Sequence, residues 1–339
     1  MTGNPPGLDL DRLASWLPSA VPMLGTELTA RLIPGGRSNL TYEISDGVSV
    51  WILRRPPLGH VLATAHDMAR EYRVMTALAG TEVPVPTTYA FCADVAVLGT
   101  AFYVMERVAG TPYRQAAQLR ALGPERTRTI STRMVDVLAT LHQVDPDSVG
   151  LADFGHASGF LTRQVSRWRK QLDASYSRDL PGAAELHAIL AARVPGESAP
   201  GIVHGDYRLD NILVDDSDRL AAVIDWEMAT IGDPLTDLAL LVTYEVLGTM
   251  ALGDVVSSAT TAPGFLTKEE MIEQYVAATG RDPSEFGFYL GLAAYKLAAV
   301  LEGIHFRHLN GQTVGAGFES IGAAVAPLLA AGLDAVKER

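Results

Sequence analysis

His204-Gly205-Asp206-Tyr207-Arg208-Leu209-Asp210-Asn211-Ile212-Leu213-Val214 and, a little further on, Val223-Ile224-Asp225-Trp226-Glu227 are the two runs on which the reading of this chain turns. Ile212–Val214 and Ala221–Ile224 have strand character and bracket an Asp-rich turn at Asp215–Asp218, which predicts a β-hairpin. Short strands on either side of a tight turn would project Asn211 and Asp225 towards the same point. The residue types suit phosphoryl transfer, whose catalysis is mostly positioning and charge stabilisation. Asp206 is suited to orient an acceptor hydroxyl and receive its proton. Asn211 and Asp225 offer the amide and carboxylate oxygens that Mg²⁺ takes. A lone His-Gly-Asp says little, because an aspartate before a turn is commonly a structural cap. The order Asp-x4-Asn, hairpin, Ile-Asp-Trp is what makes the segment informative.

Working upstream, strand-like segments fall at Glu27–Pro34, Leu40–Ser45, Ser49–Arg54, Thr87–Phe91 and Ala101–Glu106, separated by Gly-containing turns. Thr64–Ala79 has helical spacing with Met68, Tyr72, Met75 and Leu78 on one face, and Asp9–Leu17 reads as a short helix stopped by Pro18. Downstream the pattern is helical: Pro124–Gln143, Gly159–Ser177, Ala183–Val194, Pro234–Leu247, Thr267–Thr279, Pro283–Leu309 and Gly317–Lys337. A short strand is expected at Ile202–His204. Asp233 is expected to cap the helix that follows it, with Pro234 at the first helical position. Asp233 and Asp237 therefore read as structural helix-start residues. The expected fold is α+β in two lobes: residues 1–107 as an antiparallel five-stranded sheet carrying one helix, and 108–339 as a larger, mainly helical lobe with the catalytic and metal loops. Val108–Pro112 is the natural connection between them.

The His-Gly-Asp segment resembles the catalytic and metal-binding loops of the aminoglycoside phosphotransferase family, relatives of protein kinases. The resemblance covers nearly the whole chain and implies a protein-kinase-like bilobal fold, ATP and Mg²⁺ as cofactors, and transfer of a phosphoryl group to a hydroxyl of a small molecule. Ile33-Pro34-Gly35-Gly36-Arg37-Ser38-Asn39-Leu40-Thr41-Tyr42 sits where the family has its phosphate-covering loop, so Gly35, Gly36, Ser38 and Asn39 are candidate nucleotide contacts. Glu71, in Arg70-Glu71-Tyr72, matches the helix glutamate that tethers a strand lysine. The matching strand reads Trp51-Ile52-Leu53-Arg54-Arg55, so Arg54 stands where lysine is usual; it keeps the charge, but its planar fork is no isostere of an ammonium. Phe102-Tyr103-Val104-Met105-Glu106-Arg107-Val108 is similar to the strand and hinge that hold adenine through backbone groups, at Glu106 and Val108. Arg208 follows Asp206 where many protein kinases carry a lysine beside the transferring phosphoryl group, a position for stabilising transition-state charge; a salt bridge to Asp210 is the competing reading. His204 is expected to organise the loop by hydrogen bonding.

For the acceptor, Lys296, Gly303 and Arg307 are spaced to stack on one helix face, with Gly303 leaving room for something to approach. The segment Ala294–Gly311 is similar to a subgroup that resembles the phosphotransferase domains fused to acyl-CoA dehydrogenases in animals. That resemblance implies a hydroxyacyl-CoA or other anionic acceptor, with Lys296 and Arg307 as candidate substrate residues; a solvated or salt-bridged face is the alternative. Two other function classes compete. A nucleotide-binding pseudokinase with a regulatory role shares the fold, yet Asp206, Asn211 and Asp225 are all present. A metal-dependent phosphoesterase usually draws on several His ligands, and no second histidine sits in the motif region.

Composition narrows the setting. The chain has 339 residues, with 27 Lys+Arg against 39 Asp+Glu, a net charge of −12. The missing basic footprint argues against nucleic-acid binding. Cys92 is the only cysteine, which rules out an intrachain disulfide and suits a reducing cytoplasm. Residues 1–25 lack signal-peptide features, and the longest uncharged apolar stretch, Ser320–Leu333, contains Pro327 and is too short to span a bilayer. The expectation is a cytoplasmic protein with a small-molecule partner, no nucleic acid and no membrane; nothing specifies an oligomeric state.

Overall fold

A computed structural model describes the chain apart from residues 1–3, 26, 35–38, 59–66, 197, 251–256, 314–317 and 339. Its contacts divide it into two compact units, Met1–Gly110 with Ala221–Ala229, and Thr111–Leu220 with Thr230–Arg339. The short segment carrying Asp225 thus packs with the first unit.

In the first unit, α1 (Leu10–Trp16) is followed by β1 (Thr29–Leu32), β2 (Leu40–Ser45), β3 (Val50–Arg55), α2 (Met68–Leu78), β4 (Thr88–Cys92), α3 (Val95–Leu98) and β5 (Phe102–Glu106). The five strands form one antiparallel sheet in the order β1-β2-β3-β5-β4. The strand period of two splits β3 between two environments. Trp51 and Leu53 join Leu13, Leu17, Tyr42, Ile44, Phe102 and Val104 in an apolar cluster that α1 helps to cover. Each fully buried Leu or Ile there contributes about 1.5–3 kcal/mol. On the other face Arg54 meets Glu71 of α2. The expected single helix is therefore joined by α1 over the opposite face and by α3. Helix α2 starts at Met68, with the Asp67 side chain accepting the N–H groups of Ala69 and Arg70; residues 64–66 of the expected helix lie outside the described residues. The 221–229 segment is tied in where Val223 N–H donates to Pro84 O at 2.8 Å and Arg70 Nη2 to Ala229 O at 3.3 Å.

The second unit contains α4 (Ala116–Leu122), α5 (Pro124–Gln143), α6 (Phe160–Ala174), α7 (Ala183–Ala192), β6 (Gly201–Val203) and β7 (Ile212–Val214). After β8 (Leu220–Val223), whose last residues belong to the first unit, come β9 (Thr230–Gly232), α8 (Leu235–Gly248), α9 (Lys268–Thr279), α10 (Phe286–Leu309) and α11 (Val325–Lys337). Strands β6 and β9 pair antiparallel, and Asp215 closes the predicted turn by accepting Ser217 and Arg219 N–H. Gly317, the first residue of the next expected helix, lies outside the described residues; from Phe318 on, α11 begins only at Val325, after a 3₁₀ turn at Ile321–Ala324. Pro327 falls in its first turn, where a missing N–H breaks no intrahelical bond. Helix α8 opens one residue later than expected: Pro234 is the cap residue, while the Asp233 carboxylate still accepts Leu235 N–H and also receives Tyr289 OH at 2.7 Å. By length and composition α10 could cross a membrane, but 72% of its most apolar window is buried inside the protein, as in a core helix.

Candidate active site

Three charged side chains converge in the first unit. Arg54 Nη1 lies 3.0 Å from Glu71 Oε1, and its Nη2 donates to Asp225 Oδ1 at 2.9 Å. Arg54 and Glu71 are buried, at 7% and 1% exposure, and Asp225 is half-buried. Burial works against the Arg54 charge, but Glu71, Tyr103 and Asp225 outweigh it and hold the guanidinium above its ordinary value. Burial pushes the Glu71 carboxyl up, to about 7, against the opposing pull of Arg54. Asp225 has φ 69° and ψ 56°, the left-handed region that a non-glycine residue enters rarely. Asn39 is buried, and its Nδ2 donates to Glu227 Oε2 at 3.2 Å. Gly35, Gly36 and Ser38 lie outside the described residues. Glu106 closes β5 opposite Trp51, its N–H donating to Thr87 O, and Val108 follows half-buried before the Gly110 boundary.

The catalytic-loop candidates lie together in the second unit. Asp206 is half-buried, and both of its carboxylate oxygens receive protein donors: Tyr244 OH on Oδ1 at 2.6 Å and Asn211 Nδ2 on Oδ2 at 3.0 Å. Asn211 Nδ2 also reaches Asp206 O at 2.9 Å. Arg208 shows the salt-bridging role weighed for it: Nη2 is 3.0 Å from Asp210 Oδ2 and Nε is 3.5 Å from Asp206 Oδ2. Burial pushes Asp210 up, with Arg208 opposing. His204 is fully buried, and its Nδ1 accepts Asp206 N–H at 3.2 Å, the organising role expected of it.

Asp237 does more than open a helix. Its buried carboxylate accepts His204 N–H at 2.6 Å and Gly205 N–H at 2.8 Å, with His142 Nε2 at 3.2 Å. Tyr275 OH lies 2.6 Å from the other His142 nitrogen. Burial alone would raise Asp237, but His142, His204 and the Gly205 N–H outweigh it and hold the carboxyl below its usual range. Burial pushes His142 down, against the opposing pull of Asp237. Sequence reasoning missed Tyr244 altogether. The available signal was an acid and a tyrosine on one stripe of an otherwise apolar helix, a pattern that ordinary core packing also produces.

The acceptor candidates separate. Lys296 Nζ donates to Gly205 O and lies 5.3 Å from the Trp168 ring centroid, so its ammonium is engaged by the catalytic loop. Burial pushes Lys296 down, with Asp206 and Asp237 opposing. Arg307 is exposed. Gly303 does not face open space as expected: a Cβ there would lie 3.4 Å from Ser175 Oγ and 3.6 Å from Gln171 Nε2 at the end of α6.

The donors fit a hard divalent ion in kind. Asn211 spends its Nδ2 on Asp206, which turns its amide oxygen away from that bond, and Asp225 spends only Oδ1 on Arg54. No group of three His, Cys, Asp or Glu side chains among the described residues could hold a metal unaided. Asn211 and Asp225 each offer the kind of oxygen donor that Mg²⁺ takes alongside phosphates and water.

A five-stranded antiparallel sheet, a helical second unit and an Asp206–Asn211 loop define a phosphotransferase of protein-kinase-like fold. The chain belongs to the phosphotransferase enzyme family, whose model matches residues 29–289. A candidate aminoglycoside phosphotransferase from Ralstonia eutropha JMP134 is 31% identical, with a TM-score of 0.84 over 97% of this chain and 98% of that one. Acyl-CoA dehydrogenase family member 11 of Gallus gallus is 35% identical over 91% of this chain, and family member 10 of Mus musculus is 35% identical over 86%. The chain spans only 40% and 28% of those relatives' lengths. A thermostable aminoglycoside phosphotransferase APH(4)-Ia in ternary complex with AMP-PNP and hygromycin B has a TM-score of 0.62 over 97% of this chain and 98% of that one. At 14% identity that is a likeness of fold. The family and the subgroup expected from the sequence are the ones found.

Proposed function

We propose that this protein transfers the γ-phosphoryl group of ATP, with Mg²⁺, to a hydroxyl of an anionic small molecule of the hydroxyacyl-CoA class. The observation that carries the reading is the Asp206 carboxylate held between Asn211 and Tyr244. Each of its oxygens keeps a second lone pair for the acceptor hydroxyl. Asp206 orients that hydroxyl and takes its proton as the oxygen bonds to phosphorus and the bond to the ADP oxygen breaks. Asn211 and Asp225 would ligate Mg²⁺, which when bound neutralises phosphate charge. Arg54, tethered by Glu71, would grip the phosphates, and Arg208 would stabilise charge on the transferring group. The acceptor class is supported by the names of the curated relatives and by the exposed, basic Arg307 on α10.

The test is an ATP-consumption screen across hydroxyacyl-CoA esters, other hydroxylated metabolites and aminoglycosides. Turnover with a thioester that falls about 10²–10⁴-fold in Asp206→Asn supports the reading. Efficient aminoglycoside phosphorylation without thioester turnover would reject the acceptor class, and full activity in the variant would remove Asp206 as base. One observation favours a second reading, a nucleotide-binding regulator: Arg54 already occupies an oxygen of Asp225. Nucleotide binding without turnover for any acceptor would select it.

A further inference from the structure

Helix α8 meets the catalytic loop at two points. Asp237 near its start accepts the N–H groups of His204 and Gly205. Tyr244, about two turns further along and so on the same face, donates its hydroxyl to Asp206 Oδ1 at 2.6 Å. The Tyr244 ring also lies under the Arg208 guanidinium, whose carbon is 5.4 Å from the ring centroid. One buried side chain therefore touches both proposed catalytic groups, by its hydroxyl and by its face.

We propose that Tyr244 is a positioning residue for phosphotransfer, holding the base Asp206 and the cation Arg208 in one geometry. This rests on the assignment of Asp206 as the base. A carboxylate with a donor on only one oxygen can still swing about its side-chain torsions. With Asn211 on Oδ2 and Tyr244 on Oδ1 it is held at both ends. The guanidinium gains a stacking surface and is aligned for Asp210 Oδ2 at 3.0 Å. The other groups facing Asp206 are Arg208 and Asp210 on the loop, the His204 ring that accepts its N–H, and Lys296 from α10, which bonds the carbonyl of Gly205. The Tyr244 phenol is pushed well up by burial and by Asp206, so it stays a donor at working pH.

Two variants separate the two ends of the side chain. Tyr244→Phe keeps the ring and deletes the hydroxyl, whereas Tyr244→Leu deletes both. The readouts are Mg·ATP turnover, with water as acceptor if no other is known, and the side-chain orientation of Asp206 in a crystal structure of each variant. The expected result for Tyr244→Phe is a fall of about tenfold in kcat at unchanged KM for ATP, with the Asp206 carboxylate turned from its wild-type orientation. Tyr244→Leu should fall further as Arg208 loses its platform. Wild-type kcat and an unmoved Asp206 carboxylate in Tyr244→Phe, beside an inactive Asp206→Asn, would overturn the inference while leaving the phosphotransferase reading intact. If the wild-type chain consumes no ATP, that reading fails instead, and the Asp206 orientation still decides whether Tyr244 holds it. If Tyr244→Phe does not fold, 3-fluorotyrosine at 244 replaces it: a changed kcat at unchanged KM for ATP is expected, and wild-type kcat would count against the contact.

Discussion

Asp237 accepts the backbone N–H of His204 at 2.6 Å from within α8, so a helix carboxylate holds the chain immediately before the proposed base. The same carboxylate takes Gly205 N–H at 2.8 Å and pairs with His142, which in turn meets Tyr275. Gly205 sits at φ 83°, a left-handed conformation open to glycine, and Lys296 binds its carbonyl from α10. The loop is thus clamped on its N–H side by α8 and on its carbonyl side by α10.

Asp237→Asn should be costly, because an amide cannot accept three donors and turns an N–H group towards one of them. A loss of about 2–4 kcal/mol is expected, read as a lower denaturant midpoint at unchanged m-value. Phosphotransfer should fall as well, since the backbone carrying Asp206 is released. A variant as stable as wild type would mean that the loop finds its shape without this carboxylate.

Arg54 is bonded to Asp225 and ion-paired with Glu71 through different nitrogens, a bridge that one ammonium cannot copy. Arg54→Met should lower ATP turnover by about a hundredfold or more, and Arg54→Lys should restore only part of it. Steady-state kinetics on both variants decide the matter; wild-type values in Arg54→Met would dismiss the phosphate-gripping role.

Asp46 gives a pH prediction. This buried carboxylate accepts the N–H groups of Leu24, Gly25, Val48 and Ser49. The Gly25 N–H leads in holding it far below the usual carboxylate range, and Ser49, Val48 and Leu24 add to this against the opposing effect of burial. A depressed folded-state pKa means that its stabilising contribution is complete above the unfolded value near 4 and is lost as pH falls through the folded one. In urea titrations, wild type should exceed Asp46→Asn at neutral pH, and the gap should narrow steadily as pH falls below about 4. A gap independent of pH would show that the charged form is not what the four N–H groups recognise.

Most of the sheet and the long helices were legible because their signals are local. Leu40–Ser45, Pro124–Gln143 and Ile212–Val214 match their expected bounds residue for residue. In each, periodicity and flanking turn or cap residues agree. Elements that were missed are short, such as α3, α4 and the three-residue β9, where too few residues repeat to show a period. The candidate site divides the same way. Asp206, Asn211, Arg54 and Glu71 could be named because their spacing resembles a family pattern. Tyr244 and the loop-holding role of Asp237 could not, since each acts on residues far off in sequence.

Read alone, the amino-acid order determined the family, the five-stranded antiparallel sheet and the chemical inventory of the loop, all of which reside in local spacing and residue type. Tertiary packing decided the rest. It brought Arg54 and Glu71, both named from the sequence, into contact, because strand alternation assigns faces but only the docked α2 covers the charged one. It also turned Lys296 from an expected acceptor contact into a clamp on Gly205, and brought Tyr244 onto Asp206. A hydrogen bond between distant residues depends on how helices pack, and no local periodicity encodes that.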